Sequence, residues 1–254
     1  DHPTWPDADL QSLRGIMAGS STLPSSYLQQ FHARGIPVGQ IYGTTETGPV
    51  SVILKFDDAM ARMGFAGWPH AHLSLKLVNA QGQEVPAGET GEVCVKGPNV
   101  MRGYWNAGNP KDLVGLHDGW FHSGDMGCLD AQGCLQIVGR NKDMIISGGE
   151  NIYPAEIENA LASFPGVAEC AVVGLTDERW GEVPVLVLVK TTDALGQALQ
   201  TQDVMAHLQM QIARFKLPRK WVCVAQLPKS ALGKVQKPVL QKQLASMQLQ
   251  AVRV

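Results

Sequence analysis

The sequence predicts a mixed α/β and α+β fold, in which an α/β segment precedes an antiparallel β-rich segment and a compact α/β unit. Up to about residue 64, apolar runs alternate with a stretch of helical spacing. From 65 to 139, short alternating runs are separated by turn residues, as in successive hairpins. After Gly139, helix and strand signals return together.

The first segment, residues 1–64, carries the signals of an α/β portion. An apolar run from Leu13 to Ala18 predicts a strand, and Ser26 to Arg34 has the spacing of an amphipathic helix. A second strand is predicted at Val38 to Tyr42. Strand, helix and strand in this order indicate an α/β arrangement.

The second segment, residues 65–139, predicts a small antiparallel, β-barrel-like subdomain. Apolar runs at 73–78, 91–96 and 134–138 are separated by turn residues. The clearest turns are Asn79-Ala80-Gln81-Gly82 and Asp130-Ala131-Gln132-Gly133, which combine Asx residues with glycine.

The third segment, residues 140–254, predicts a compact α/β domain. Pro154 and early acidic residues mark the start of a helix that continues to Leu161. Buried strands are predicted at Val167–Leu175 and Val183–Lys190, and an amphipathic helix at Asp203–Phe215. The boundary is predicted at 139–143, a polar run that suits either a linker or a tight turn.

Composition excludes several classes of protein. The 254 residues are 44% hydrophobic and 17% charged, with a formal net charge of −2. These values are not those of a disordered, membrane-spanning or nucleic-acid-binding chain. The five cysteines are scattered and odd in number, which predicts reduced thiols and a cytoplasmic location. No targeting signal is recognised at the start of the sequence.

The segment from Tyr42 to Glu46, Tyr-Gly-Thr-Thr-Glu, follows a predicted strand and is a candidate phosphate and metal site. Open α/β sheets bind ligands at the carboxyl ends of their strands. The Tyr42 ring suits stacking on a base, threonine hydroxyls suit phosphate oxygens, and the Glu46 carboxylate suits Mg²⁺. The alternative is a turn or helix N-cap with a capping threonine.

Two isolated charged residues are further candidates. Asp125 ends the aromatic segment that begins at Gly119, and a carboxylate there can accept both hydroxyls of a ribose. Its alternative is a solvated turn aspartate. Arg140 lies at the predicted boundary, where most arginines are surface residues or form salt bridges.

Gly148 and Gly149 precede the predicted helix at Pro154, but the acids beside them disfavour an anion there. A close approach of a chain or ligand to the backbone is the better interpretation of the pair. Neither the dinucleotide-binding fingerprint nor the P-loop signature is present.

Near the end of the sequence, Gly233 precedes Lys234, and a glycine hinge allows a loop to present a lysine. A flexible cation of this kind can reach a developing phosphate charge. Lys229 and Lys237 flank it, and such a cluster is more often a solvated face.

His70 and His72 lie two residues apart at the start of a predicted hairpin. No third ligand has suitable spacing, so no structural zinc site is predicted.

Taken together and in order, six segments resemble the adenylate-forming superfamily of acyl- and aryl-CoA synthetases, luciferases and peptide-synthetase adenylation domains. The resemblance spans nearly the entire sequence. Its segments are Tyr42 to Gly48, Gly91 to Trp105, Gly119 to Asp125, Gly139 to Asp143, Gly148 to Pro154 and Pro228 to Lys237.

The resemblance implies a role for each candidate residue. Tyr42, Gly43 and Thr44 would contact the nucleotide, Thr45 the α-phosphate, and Glu46 Mg²⁺. Asp125 and Arg140 would hold the ribose, and Gly19, Ser20 and Ser21 would form an adenine-contacting loop. Lys234 would act in adenylation, Lys142 would be the hinge of a mobile lid domain formed by 140–254, and Gly148 and Gly149 would line the coenzyme A tunnel.

By the same resemblance, residues 1–139 would be the end of the large N-terminal domain, and the sequence would be the C-terminal half of a synthetase. ATP, Mg²⁺ and coenzyme A are the expected cofactors, and a carboxylic acid is the expected substrate. A homodimer is allowed, whereas a nucleic-acid partner and a transmembrane segment are not expected. The alternatives are an adenylation domain that loads a carrier protein and a noncatalytic binding module. Aliphatic, aromatic and dicarboxylic acids all remain open as substrates.

Overall fold

The computed structural model describes residues 4–19, 23–104, 115–231, 233–247 and 249–251. The chain divides into two units, Asp1–Ile137 and Val138–Val254. That these units are part of a large domain and a mobile lid stays a prediction. In the part of the chain covered by the structure, no helix combines the length and apolar character needed to cross a bilayer.

The first unit begins with a four-stranded sheet in the order β1-β2-β3-β4. Its elements are β1 (Ile16–Ala18), α1 (Ser25–His32), β2 (Val38–Thr44), β3 (Gly48–Leu54), α2 (Phe56–Ala59) and β4 (Trp68–Pro69). β1 and β2 are parallel, as expected for strands joined through a helix, whereas the remaining pairs are antiparallel. The predicted α/β portion is therefore present.

A five-stranded sheet completes this unit. It comprises β5 (Ser74–Val78), β6 (Thr90–Lys96), β7 (Leu116–His117), β8 (Trp120–Leu129) and β9 (Leu135–Arg140), the last of which crosses the unit boundary after Ile137. β6 lies between β5 and β8 and is antiparallel to both. The predicted Asx turns form: the side chain of Asn79 accepts from Gln81 and Gln83, and that of Asp130 accepts from Gln132 and Cys134.

The second unit contains a six-stranded sheet with four helices. Its strands are β10 (Ile145–Ser147), β11 (Glu150–Ile152), β12 (Val167–Asp177), β13 (Gly181–Lys190), β14 (Lys220–Cys223) and β15 (Gln250–Ala251). Its helices are α3 (Pro154–Leu161), α4 (Ala194–Ala198), α5 (Thr201–Gln211) and α6 (Lys237–Ala245).

The central hairpin of β12 and β13 is buried on both faces, which explains its continuous apolar sequence. Val172 and Leu186 face the cluster that contains α3 and α5. Their neighbours Val173 and Val185 face the cluster that contains α6. Alternate residues of a strand point to opposite faces, so this hairpin is apolar at nearly every position.

The helix predicted over 203–215 ends at Gln211 rather than at Phe215. Ile212 is extended, with φ −132° and ψ 158°, and a short 3₁₀ turn, Arg214–Lys216, follows it. Pro218 lies just beyond, where a helix could not continue without losing a backbone hydrogen bond.

Candidate active site

The structure brings Tyr42 and Asp125 together, although 83 residues separate them in the sequence. The Tyr42 hydroxyl donates a hydrogen bond of 2.9 Å to Oδ2 of Asp125. Asp125 is only 5% exposed, and it lies within β8 rather than in a solvated turn. A buried carboxylate with a defined partner is suited to accepting hydrogen bonds from a polar ligand.

The loop after Tyr42 is a tight connection between β2 and β3. Thr45–Thr47 form a 3₁₀ turn, and Thr44 and Thr47 cap it reciprocally, with the Thr44 amide donating to Thr47 Oγ1 at 3.1 Å. The capping interpretation is therefore correct for Thr44. Gly43 lies at a register shift in the pairing of β2 with β3. Capping does not occupy Thr45 or Glu46, whose roles stay predictions.

The base of this loop is held by neighbouring polar groups. The Ser51 hydroxyl lies within hydrogen-bonding distance of two acceptors on Thr47, the backbone carbonyl at 3.0 Å and Oγ1 at 2.9 Å. The Asn99 amide also donates to the Thr47 carbonyl. Met101 donates its backbone N–H to the Glu46 carbonyl at 2.7 Å. These contacts restrict the backbone that presents Thr45 and Glu46.

Glu46 has a side-chain partner that the sequence analysis missed. The Tyr104 hydroxyl donates to Oε1 of Glu46 at 2.7 Å. This hydrogen bond to the carboxylate raises the pKa of Tyr104 above its usual range, with a smaller contribution from burial. Tyr104 belongs to the Gly91-to-Trp105 segment. Its aromatic hydroxyl in a polar loop was the feature of the sequence that could have indicated a partner for a carboxylate.

A second missed cluster lies beside Asp125. Glu92, Cys94 and His122 place one ligand-type atom each within 4.8 Å of one another. Burial, followed by the charge of Glu92, raises the pKa of the Cys94 thiol to about 12. Glu92 and His122 pair with each other at 2.9 Å. The signal in the sequence that could have indicated this cluster was Glu92, a charged residue inside the largely apolar strand β6.

In the second unit, Arg140 and Lys142 lie at the start. Arg140 ends β9, and a 3₁₀ turn, Asn141–Asp143, follows directly, with the Met144 N–H donating to the Asn141 carbonyl at 3.2 Å as in a tight turn. Both side chains are exposed. Their ribose and hinge roles stay predictions.

Gly148 and Gly149 form the turn between β10 and β11, with φ of +62° and +88°. A Cβ on Gly148 would lie 2.6 Å from the Trp180 ring, whereas one on Gly149 would meet nothing within 4 Å. The Gly148 N–H donates to the Trp180 carbonyl at 2.8 Å. The close approach expected for the pair is therefore found at Gly148, with Trp180 as its neighbour.

Lys234 lies on an exposed hairpin, here called the lysine hairpin, whose described residues are 229–231 and 233–235. Lys229 and Val235 form its bridge, and the backbone of Lys234 bonds Ser230 through its N–H at 3.2 Å and its carbonyl at 2.8 Å. Gly233 has a φ of +79°, a conformation that favours glycine, whereas the hinge role stays a prediction.

The three lysines of the cluster differ in their ion pairs. Lys229 pairs with Glu169 at 2.8 Å, and Lys237 pairs with Glu158 at 2.8 Å. Across the residues placed by the structure, the Lys234 ammonium has no acidic partner. Two lysines are therefore used within the fold, and Lys234 is presented to solvent.

Gly19 follows β1 and lies against Ile41 of β2. Ser20 and Ser21, predicted with it as an adenine-contacting loop, lie outside the described residues. His70 and His72 are exposed, and with Val50 and Asn99 they line a cleft of about 350 Å³.

Comparison with known proteins identifies two matching family profiles. Residues 1–105 match the family described as AMP-binding enzyme, and residues 156–234 match the AMP-binding enzyme C-terminal domain.

Curated relatives match at high identity over part of their length. An indoleacetate–CoA ligase from Aromatoleum aromaticum is 50% identical over 235 residues, which cover 92% of this chain and 45% of the relative. A feruloyl-CoA synthase from an Amycolatopsis species is 43% identical, over 93% of this chain and 47% of the relative. The chain thus spans about half the length of the curated relatives it matches.

Solved structures show the same similarity. The o-succinylbenzoate CoA synthetase from Bacillus subtilis, in complex with its acyl-adenylate intermediate, has a TM-score of 0.82 and 35% identity, over 97% of this chain and 48% of that one. The same enzyme was also solved with ATP and a magnesium ion. An anthranilate CoA ligase with anthranoyl-AMP has a TM-score of 0.85 and 29% identity, over 96% of this chain and 47% of that one. The fold is that of about half of each of these adenylate-forming enzymes.

Proposed function

This chain belongs to the family of AMP-binding enzymes, and we propose that it is the C-terminal half of an AMP-forming acyl-CoA synthetase. The observation that carries the proposal is the hydrogen bond from Tyr42 to the buried Asp125. It joins the residue expected beside adenine to the residue expected on the ribose. The two curated relatives described above, 50% and 43% identical to the chain, are both CoA-thioester-forming enzymes by name.

The complete enzyme would work in two steps. In the first, a carboxylate oxygen of the substrate attacks the α-phosphorus of ATP, and the bond to the leaving pyrophosphate breaks to give acyl-AMP. In the second, the coenzyme A thiol loses its proton and its sulfur attacks the acyl carbon. AMP leaves with the electrons of the broken acyl–oxygen bond, and a thioester remains.

Residues of the first unit would bind the nucleotide. Tyr42 would lie against adenine, with Gly43 and Thr44 beside it, and Asp125 would accept hydrogen bonds from the ribose hydroxyls. The low exposure of Asp125 strengthens such bonds, because water competes poorly there. Arg140 of the second unit would contribute to the same ribose contact. Thr45 would donate its hydroxyl to the α-phosphate.

Glu46 fits a magnesium ion by its chemistry. It is a partly buried carboxylate on a restrained loop, and its Oε1 is oriented by the Tyr104 hydroxyl. Hard oxygen ligands held in place by a surrounding hydrogen bond are typical of such sites. The ion would neutralise phosphate charge during adenylation.

Lys234 would stabilise the charge that develops on the α-phosphate in the first step. The second step needs this lysine withdrawn and a path opened for the thiol, and we propose that Lys142 is the hinge of that change. Gly148 and Gly149 would then line the pantetheine path.

We propose an aromatic carboxylic acid as the substrate, since the relative with 50% identity is named for indoleacetate and another for ferulate. A fatty acid and a small dicarboxylic acid are the competing classes. All five thiols are free, which supports the proposed cytoplasmic setting.

The decisive assay is ATP–pyrophosphate exchange by the complete enzyme, with indole-3-acetate, ferulate, malonate and a medium-chain fatty acid as substrates. Acid-dependent exchange followed by CoA-dependent AMP release is the expected result, and Asp125→Ala should weaken nucleotide binding. Absence of exchange with every acid tested would support a noncatalytic binding module. Transfer to a phosphopantetheinylated carrier protein in preference to free coenzyme A would support the carrier-loading alternative.

A further inference from the structure

Asp125 lies in a large bulge of β8, where residues 123–125 are opposite Val93 alone, and the bulge needs support from outside the strand. Cys94 of β6 pairs with His122 of β8, and Glu92 pairs with Met126. Between these two pairs the chain advances two residues along β6 but four residues along β8. The two extra residues fall within 123–125. Such a bulge leaves backbone groups without ladder partners, and these groups must bond elsewhere.

Side chains accept hydrogen bonds from the backbone N–H groups of Gly124 and Asp125 in this bulge. The Gly124 N–H donates to Oε1 of Glu92 at 3.0 Å, and the Asp125 N–H donates to Oγ of Ser123 at 3.1 Å. The Ser123 hydroxyl in turn donates to the Val93 carbonyl at 2.8 Å. Gly124 has a φ of +70°, a conformation that favours glycine. The conformation that presents Asp125 is therefore held by Glu92 and Ser123.

Glu92 is itself fixed by His122. Its second oxygen, Oε2, lies 2.9 Å from Nδ1 of His122. The two side chains are 24% and 25% exposed, so the pair is largely shielded from water. The His122 ring also packs edge-to-face with the His117 ring, at 5.1 Å between centroids, and its backbone N–H donates to the Gly115 carbonyl at 2.6 Å. The carboxylate is thus oriented in two directions, toward His122 and toward the bulge.

We propose that Glu92, braced by His122, is a positioning residue that holds the Asp125 bulge in the conformation needed to accept ribose hydroxyls. This inference rests on the nucleotide role proposed for Asp125. Glu92 does not touch the nucleotide in this scheme, because its two oxygens bond Gly124 and His122. Its effect reaches the ligand only through the direction of the Asp125 carboxylate.

The experiment compares the affinity of the complete enzyme for ATP with its affinity for 2′,3′-dideoxy-ATP. Glu92→Ala should weaken ATP binding by about tenfold, as expected when a hydrogen bond to a charged group is lost, and leave the dideoxy nucleotide nearly unchanged. Glu92→Gln keeps an acceptor for the Gly124 N–H, and its amide can donate to Nδ1 of His122 when that imidazole carries its proton on Nε2, so it should restore most of the affinity. Glu89→Ala removes an exposed carboxylate just before β6 and is the matched control.

Asp125→Ala separates this inference from the proposed function. If it leaves the preference for ATP over the dideoxy nucleotide intact, the ribose role of Asp125 fails. If it removes the preference while Glu92→Ala retains it, the positioning role alone is wrong. Equal loss of both nucleotides in Glu92→Ala would indicate only a structural contribution and would also overturn the inference.

A second variant guards against misfolding of Glu92→Ala. Gly124→Ala strains the same bulge without changing either carboxylate, and it should cause the same ribose-dependent loss. Faster amide exchange at Gly124 in Glu92→Ala than in Glu92→Gln is the expected structural readout. Unchanged ribose preference in Gly124→Ala would contradict the proposal.

Discussion

Replacing each of the three clustered lysines by alanine should separate a catalytic cation from two structural ones. Lys229 and Lys237 each lie 2.8 Å from a glutamate, whereas Lys234 has no acidic partner in the ranges covered by the structure. The hairpin backbone at Lys234 is held by Ser230 and does not depend on the lysine side chain. Lys234→Ala therefore removes a charge without removing a contact of the fold.

The expected magnitudes follow from these contacts. Lys234→Ala should change the free energy of unfolding by less than about 0.5 kcal/mol, as for most surface substitutions. Loss of a cation at a developing phosphate charge should lower the rate of adenylation by about 10²–10³-fold.

The two controls should show the opposite pattern. The Lys229–Glu169 pair is 41% and 40% exposed, so Lys229→Ala should cost at most about 1 kcal/mol. The Lys237–Glu158 pair is 19% and 24% exposed, so Lys237→Ala should cost about 1–3 kcal/mol, because Glu158 loses a charged partner. Neither variant should lower adenylation by more than about threefold if the lysines act only on stability.

Three measurements on the complete enzyme test this pattern. ATP–pyrophosphate exchange reports adenylation, thioester formation from supplied acyl-AMP reports the second step, and urea unfolding reports stability. Lys234→Ala should lose exchange and keep thioester formation. Equal loss of both steps, or equal loss of exchange in Lys229→Ala, would refute the reasoning.

Three further predictions concern metal binding, the coenzyme A path and the thiols. Tyr104→Phe removes the hydrogen bond to Glu46 and should raise the Mg²⁺ concentration for half-maximal exchange by about tenfold; an unchanged Mg²⁺ titration contradicts the orienting role. Gly148→Ala should slow thioester formation more than Gly149→Ala, since both strain a positive φ but only the first places a Cβ against the Trp180 ring. Equal effects would argue against a role for the close contact between Gly148 and Trp180. Burial raises the pKa of Cys94 and Cys170 to about 12, so both should resist iodoacetamide near pH 8 until the chain unfolds. Because the unfolded thiols release their protons first, stability should fall as the pH rises from about 9 toward 12; rapid alkylation of the folded protein, or stability that is constant over this range, would count against the burial.

The elements that the sequence predicted well are those whose conformation is set locally. β12 and β13 are continuous apolar runs because both of their faces are covered. Pro154 marks the start of α3 because its missing N–H is not needed in the first turn. The turns at Asn79 and Asp130 form because each side chain accepts backbone N–H groups a few residues ahead.

β8 is a strand that local reasoning did not predict. Gly124 and Asp125 are turn-forming residues, and the alternative interpretation of Asp125 placed it in a solvated turn. The structure continues the strand through them to Leu129, because pairing with β6 and two side-chain acceptors stabilise a bulge instead of a turn. Strand formation depends on neighbours more than on intrinsic preference.

The sequence by itself determined the mixed fold, its main elements and the order of the segments that resemble adenylate-forming enzymes. Only the tertiary structure decided that Asp125 is buried against Tyr42, that Glu92 and His122 support it, and that Lys234 differs from Lys229 and Lys237. Periodicity and turn chemistry act over a few residues and can be recognised along the chain. Partners across strands depend on register and bulges, which are set by the packing of the whole sheet.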